Sequence, residues 1–145
     1  MPNIAEEMKQ LADGAVEVAK RSYQVDLDYT EDSIKRIETI FDSLHKEIAS
    51  NFISKLLKRG LTKSQIHYAA LMLGAYIGET IRRIYGGEWV KEDAMGEKDV
   101  ITLKVGETSI FPSGKSNKRI VNGSEDDIWF YYRVLSEEIL KTKDN

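Results

Sequence analysis

The sequence predicts an α+β fold: a helical N-terminal half, a small antiparallel sheet and a C-terminal helix. Three observations carry this. Apolar residues recur at helical spacing through most of the chain up to Tyr85, the period shortens to two between Glu88 and Phe111, and the helical period returns after Ser124. The stretch from Leu61 to Val90 has the clearest start, stop and packing face, and the rest of the chain is expected to organise around it.

In chain order, Ile4, Met8, Leu11, Ala15 and Val18 alternate steps of four and three, which gives a helix with one apolar seam close to a short heptad pattern. The seam is expected to pack on the rest of the chain. Self-association into a homo-oligomer through it is the alternative, and residues 1–22 are read as a separable N-terminal helix. Tyr23, Val25, Leu27 and Tyr29 alternate with polar residues, as an extended segment or short edge strand would. Thr30 is placed to cap the next helix, with Glu31 and Asp32 favourable to its dipole. Ile34, Ile37, Phe41, Leu44, Ile48, Phe52 and Leu56 form its stripe. That helix is expected to run to Arg59, stop at Gly60 and form an antiparallel pair with the organising helix.

The organising helix opens on Thr62, with Gln65 at the spacing of a capping box and Leu61 and Ile66 placed as a hydrophobic staple. Ile66, Leu73, Ile77, Ile81 and Ile84 give its apolar face, and Gly86 and Gly87 end it. Ala70, Gly74 and Gly78 fall every four residues along one side. Glycine inside a helix costs about 0.5–1 kcal/mol relative to alanine, so close approach of another backbone is expected there. Glu79, Arg82 and Arg83 interrupt the apolar run, which excludes a membrane dimerisation helix.

Beyond Gly87, Glu88 to Glu92 reads as a strand carrying Trp89 and Val90, and Lys91 to Asp99 as an exposed turn or loop. Val100 to Val105 reads as a strand with Ile101, Leu103 and Val105 on one face. Gly106 and Glu107 form the turn, and Thr108 to Phe111 returns until Pro112 stops it. Pro112 to Gly123 is read as an irregular basic loop. Ser124 resembles a helix cap with Asp127 three residues on. Ile128, Tyr132, Leu135 and Ile139 give the last helix its buried face. Trp129, Tyr131 and Tyr132 are expected to pack in the core or between helix and sheet, the alternative being that one of them stands exposed as an interaction anchor.

A chain of 145 residues accommodates one domain spanning 1–145. Its hydrophobic and charged fractions, 41% and 31%, are those of an ordinary folded protein. The net charge of -3 gives no global attraction to nucleic acid or an anionic membrane. There is no cysteine, which excludes disulfides and thiolate metal sites and suits a cytoplasmic setting. No signal peptide or membrane span is expected.

Chemistry is sparse. His45 and His67 lack partners at a metal-site spacing, so no metal is expected. No serine sits in a nucleophile-elbow motif. The glycine pair in GGEWV leads into a strand, the wrong order for a phosphate loop, and no cofactor is expected. No catalytic residue can be named, and a non-enzyme is favoured.

Four pieces in order resemble an uncharacterised bacterial domain-of-unknown-function family: LDYTEDSIKRIE (Leu27 to Glu38), LGAYIGETIRRIYGGEW (Leu73 to Trp89), IFP (Ile110 to Pro112) and KRIVNG (Lys118 to Gly123). The resemblance implies helices followed by a small sheet, and brings no activity, cofactor or functional residue.

One constellation remains as a candidate binding surface: Glu79, Arg82, Arg83 and Trp89 from the organising helix and the strand after it, with Lys104, Lys115, Lys118 and Arg119 from the β region and basic loop. Lys98 to Arg119 holds five basic and two acidic residues in an otherwise acidic protein. The expectation is a small non-enzymatic intracellular protein acting through a protein-partner surface. The alternative is a small-anion or nucleotide-binding protein using the basic loop 113–119. Nothing resembles a recognised nucleic-acid module.

Overall fold

The computed structural model describes residues 3–48 and 61–143. Among them are five α-helices and a three-stranded antiparallel sheet. In order they are α1 (Ile4–Val18), a π-helical turn (Ala19–Tyr23), α2 (Glu31–Ile48), α3 (Lys63–Tyr85), β1 (Glu88–Ala94), β2 (Glu97–Val105), β3 (Thr108–Ile110), α4 (Pro112–Asn122), a short 3₁₀ turn (Ser124–Asp126) and α5 (Ile128–Lys143). This is the expected α+β fold, helical first, then sheet, then a C-terminal helix. The expectations at Phe52, Leu56, Arg59 and Gly60 lie outside the described residues.

α3 is the organising element. The Thr62 hydroxyl accepts from the Gln65 N–H at 3.1 Å, while the Gln65 side chain accepts from the Thr62 N–H at 2.9 Å, completing the capping box. Gly86, at φ 86°, closes the helix by donating to the Arg82 carbonyl. From Leu73 to Ile81 every residue is buried, because α1, α4 and the sheet surround this part of the helix. Ile84 falls past the covering elements and stands exposed.

The small-residue face is a packing face. A Cβ at Gly74 would come within 2.7 Å of the Ser113 backbone at the start of α4, and one at Gly78 would collide with the Trp89 indole. The two glycines therefore admit a helix backbone and an aromatic ring that alanine would exclude.

That close approach also corrects the expected pairing. The main helical neighbours of α3 are α1 and α4, not α2. α2 reaches α3 through side chains: Ser33 and Tyr76 share a hydrogen bond of 2.5 Å, and the Tyr29 N–H ahead of α2 donates to the same Tyr76 hydroxyl at 2.8 Å. α1 starts at Asn3, whose side chain caps the Glu6 N–H. It buries Met8, Ala12 and Ala15, and the π turn continues with buried Ala19, while Val18 turns outward. The small alanines let α1 lie close along α3, and the stripe is thus shifted from the expected seam.

No strand forms between Tyr23 and Tyr29. Tyr23 ends the π turn, Gln24 takes a left-handed conformation, and the segment crosses as irregular chain with Leu27 buried. The only sheet among the described residues lies elsewhere and offers this segment no edge.

The charged stretch Lys91 to Asp99 is a hairpin rather than a loop. β1 continues to Ala94, β2 begins at Glu97, and Met95 and Gly96 make the tight turn with positive φ. Backbone pairing extends beyond the buried part of the sheet, where the side chains are free to be charged. Leu103 and Val105 face the core, and Val105 pairs with Thr108 across the expected Gly106–Glu107 turn.

The largest correction concerns 112–123, which is helix α4. Pro112 sits in its first turn, where its missing N–H costs nothing. Pro112, Ser116, Arg119 and Ile120 make its buried stripe. Ser124 opens only the 3₁₀ turn, and the cap of α5 is Asp127, whose carboxylate accepts from the Trp129 N–H at 2.9 Å. Ile128, Tyr132, Leu135 and Ile139 are buried as expected.

Candidate functional site

The predicted constellation separates into two groups, and among the described residues no hydrogen bond or ion pair joins them. The first gathers around Glu79, which is only 1% exposed. One carboxylate oxygen accepts from Arg82 Nε at 2.7 Å and from Trp89 Nε1 at 2.8 Å; the other accepts from Arg82 at 3.1 Å and Arg83 Nε at 3.4 Å. Burial opposes the charge on Glu79, but the hydrogen bonds from Arg82 and Trp89 outweigh it and hold the carboxyl below its ordinary pKa. Arg83 also lies over the Tyr29 ring, 3.6 Å from its centroid. This carboxylate has its donors supplied from within the chain. It ties β1 to α3, and Glu79, Arg82 and Trp89 also line a small cleft of about 310 Å³ with Asn3, Glu6 and Lys9 of α1 and its cap.

The second group lies on and around α4. Lys115 pairs with Asp126 at 3.2 Å and faces the Tyr131 ring. Lys104 pairs with Glu92 at 2.8 Å across the hairpin. Lys118 is exposed and lines a cleft of about 600 Å³ of mixed character with Lys98, His67, Leu71, Phe111 and the first turn of α4. Arg119, placed by the sequence reading in an exposed loop, is 1% exposed. Its Nε lies 3.4 Å from Glu38, and its Nη2 bonds Asp42, both on α2. A guanidinium buried this deeply requires partners, and the helical form of α4 points it at two carboxylates.

Sequence reasoning missed the acidic half of this cluster. The Glu38 carboxylate also accepts from the Ile128 N–H at 3.2 Å and is hydrogen bonded to Asp127. Burial, with the neighbouring Asp127 next, pushes Glu38 up to about 7, against the pull of Arg119. The hydrogen bond from Glu38 holds Asp127 below its ordinary value, against its own burial. The signal in the sequence was one acid inside a helix that is charged along most of its outer face, and this gave it no distinction.

A different feature offers an open surface. An apolar cleft of about 470 Å³ runs between the end of α1, α2 and the N-terminal half of α3. Val18 and Tyr23 form one wall, Ile40 and Leu44 the floor, and Tyr68 and Met72 the other wall. Tyr68, 57% exposed, and Val18 stand at its rim. Among the described residues, Ser64 and Gln65 are its only lining side chains of wholly polar character. The π turn contributes Ala19 and Tyr23 to the lining. On α5, the exposed aromatic is Phe130, at 64%, rather than Trp129, Tyr131 or Tyr132.

Among the described residues no helix is long and apolar enough to cross a membrane, and no three His, Cys, Asp or Glu side chains gather as metal ligands. No protein-family model, curated protein or solved structure matches the chain.

Proposed function

We propose that this is a non-enzymatic protein that acts by holding an amphipathic helix of a protein partner in the cleft between α1, α2 and α3. The observation that carries the reading is the cleft's lining: almost wholly apolar, open to solvent, and rimmed by Val18 and Tyr68. Sites for small molecules carry a few convergent polar groups that fix the ligand's orientation. Here the polar groups are confined to Ser64, Gln65 and the tyrosine hydroxyls, so the recognition favoured is apolar side chains entering from a helix, with its polar face left in water. Glu79 takes its hydrogen bonds from within the chain and Arg119 is buried against α2, which favours the apolar cleft over the charged constellation.

The test is site-directed. A photo-crosslinking phenylalanine analogue replaces Tyr68, and a second replaces Phe130 on α5. A partner caught at 68 and not at 130, and no longer caught when Val18→Glu is added, is the expected result. Crosslinking that ignores Val18→Glu in a variant with an unchanged circular dichroism spectrum overturns the reading. So does saturation of the cleft by an apolar small molecule that leaves partner binding intact.

A further inference from the structure

We propose that Glu38 and Asp127 form a proton-operated latch that fastens the start of α5 to α2 and α4. The geometry supplies the parts. Glu38, largely buried on α2, meets three groups at once: Arg119 Nε of α4 at 3.4 Å, the Ile128 N–H at 3.2 Å, and the Asp127 carboxyl. Asp127 caps α5 through the Trp129 N–H. Asp42, one turn along α2, takes the Nη2 of the same Arg119. With every group ionised, three carboxylates would surround one guanidinium. Two of them would be in hydrogen-bond contact, where like charges cannot both persist without a proton between them.

With that proton, the Glu38 hydroxyl donates to Asp127. The other Glu38 oxygen still accepts from Arg119 and Ile128, and Asp127 remains an ionised cap. Without it, two carboxylates face each other across the junction of α2 and α5. The remaining groups around the junction do not replace the proton. Lys35 of α2 lies over the Trp129 ring at 4.7 Å, Glu31 accepts from Tyr132, and Lys115 is held by Asp126. Lys118 adds positive charge toward Asp126 from α4. His45 of α2 is bonded to the Ile120 carbonyl of α4 at 2.9 Å. The latch closes on the acidic side and opens as pH rises through about 7, the value to which burial and Asp127 raise Glu38. What it releases is the first turn of α5, which carries the exposed Phe130.

The test uses the full chain. The Ile128 and Trp129 amide signals, the protection of these amides, and the Glu38 side-chain carboxyl carbon are followed by NMR from about pH 5.5 to about pH 9. All are expected to move together with one midpoint near neutrality. Glu38→Gln keeps a donor toward Asp127 and an acceptor toward Ile128. It should hold the amides at their low-pH positions throughout, while His45→Gln should leave the midpoint in place. A Glu38 carbon that titrates in the ordinary carboxylate range overturns the latch without recourse to any variant. So does a midpoint that survives Glu38→Gln or disappears with His45→Gln.

Discussion

Replacing Gly78 with alanine should destabilise the protein, although alanine is the better helix former. The substitution gains about 0.5–1 kcal/mol of helix propensity. Against this, the new methyl group meets the Trp89 indole, which is almost wholly buried and cannot swing into solvent. Forcing an extra methyl into a packed core costs about 1–3 kcal/mol. Moving the ring also breaks or stretches the 2.8 Å bond from Trp89 Nε1 to Glu79, a hydrogen bond to a charged group worth about 1.5–3 kcal/mol. The balance is a loss of about 2–5 kcal/mol. Gly114→Ala supplies the contrast. It lies in the first turn of α4 with open space where its Cβ would be, so it should stabilise by about 0.4–1 kcal/mol. Urea denaturation followed by tryptophan fluorescence and by circular dichroism measures both. A Gly78→Ala variant as stable as the parent would refute the close packing of Trp89 on α3.

Three further outcomes are expected. Tyr76→Phe leaves the Tyr29 N–H and the buried Ser33 without their shared partner, and should cost about 1–3 kcal/mol by the same denaturation assay. Arg119→Met removes the only cation bonded to Glu38 and Asp42 among the described residues. It should cost about 3 kcal/mol, the low end for breaking a buried pair because Asp42 is half exposed, and should raise the Glu38 carbon's titration midpoint further. Glu38 makes its contribution to stability in full below its ordinary value of 4.5 and loses it as pH rises through about 7. Denaturation midpoints should therefore fall across that interval in the parent and stay flatter in Glu38→Gln.

The organising helix was legible because its signals are local: a capping box, a terminal glycine pair and small residues every fourth position. α4 was not, although Pro112 in a first turn and the spacing of Pro112, Ser116 and Ile120 were present in the sequence. Its stripe is completed by Arg119, and a charged residue at a core position erases the apolar period on which a helix is recognised. Gly114 and Asn117 then read as loop chemistry. The charged constellation was only half legible for a related reason. Glu79, Arg82, Arg83 and Trp89 do converge, but on one buried carboxylate of their own, and sequence spacing does not show how many of the donors that carboxylate takes up. The apolar cleft depends on residues from three helices and a π turn, none adjacent in sequence except within each element.

The closed clusters and the open cleft are related. Buried ion pairs return little net stability, because desolvation offsets most of their attraction, yet removing one partner is expensive. Their effect is to fix position. Arg119 ties α2 to α4 through Glu38 and Asp42, Tyr76 ties α2 to α3 through Ser33, and Tyr29 reaches α1 through a 2.6 Å bond to Asp13. α1 and α3 wall the apolar cleft and α2 floors it, and each is held by a polar contact made outside it. A cleft built on apolar contacts alone could close by sliding its helices together, since such contacts are non-directional. Directional bonds at the back of each wall oppose that sliding. They keep apolar surface open that the chain would otherwise bury in itself, which is the condition for a surface that binds another protein.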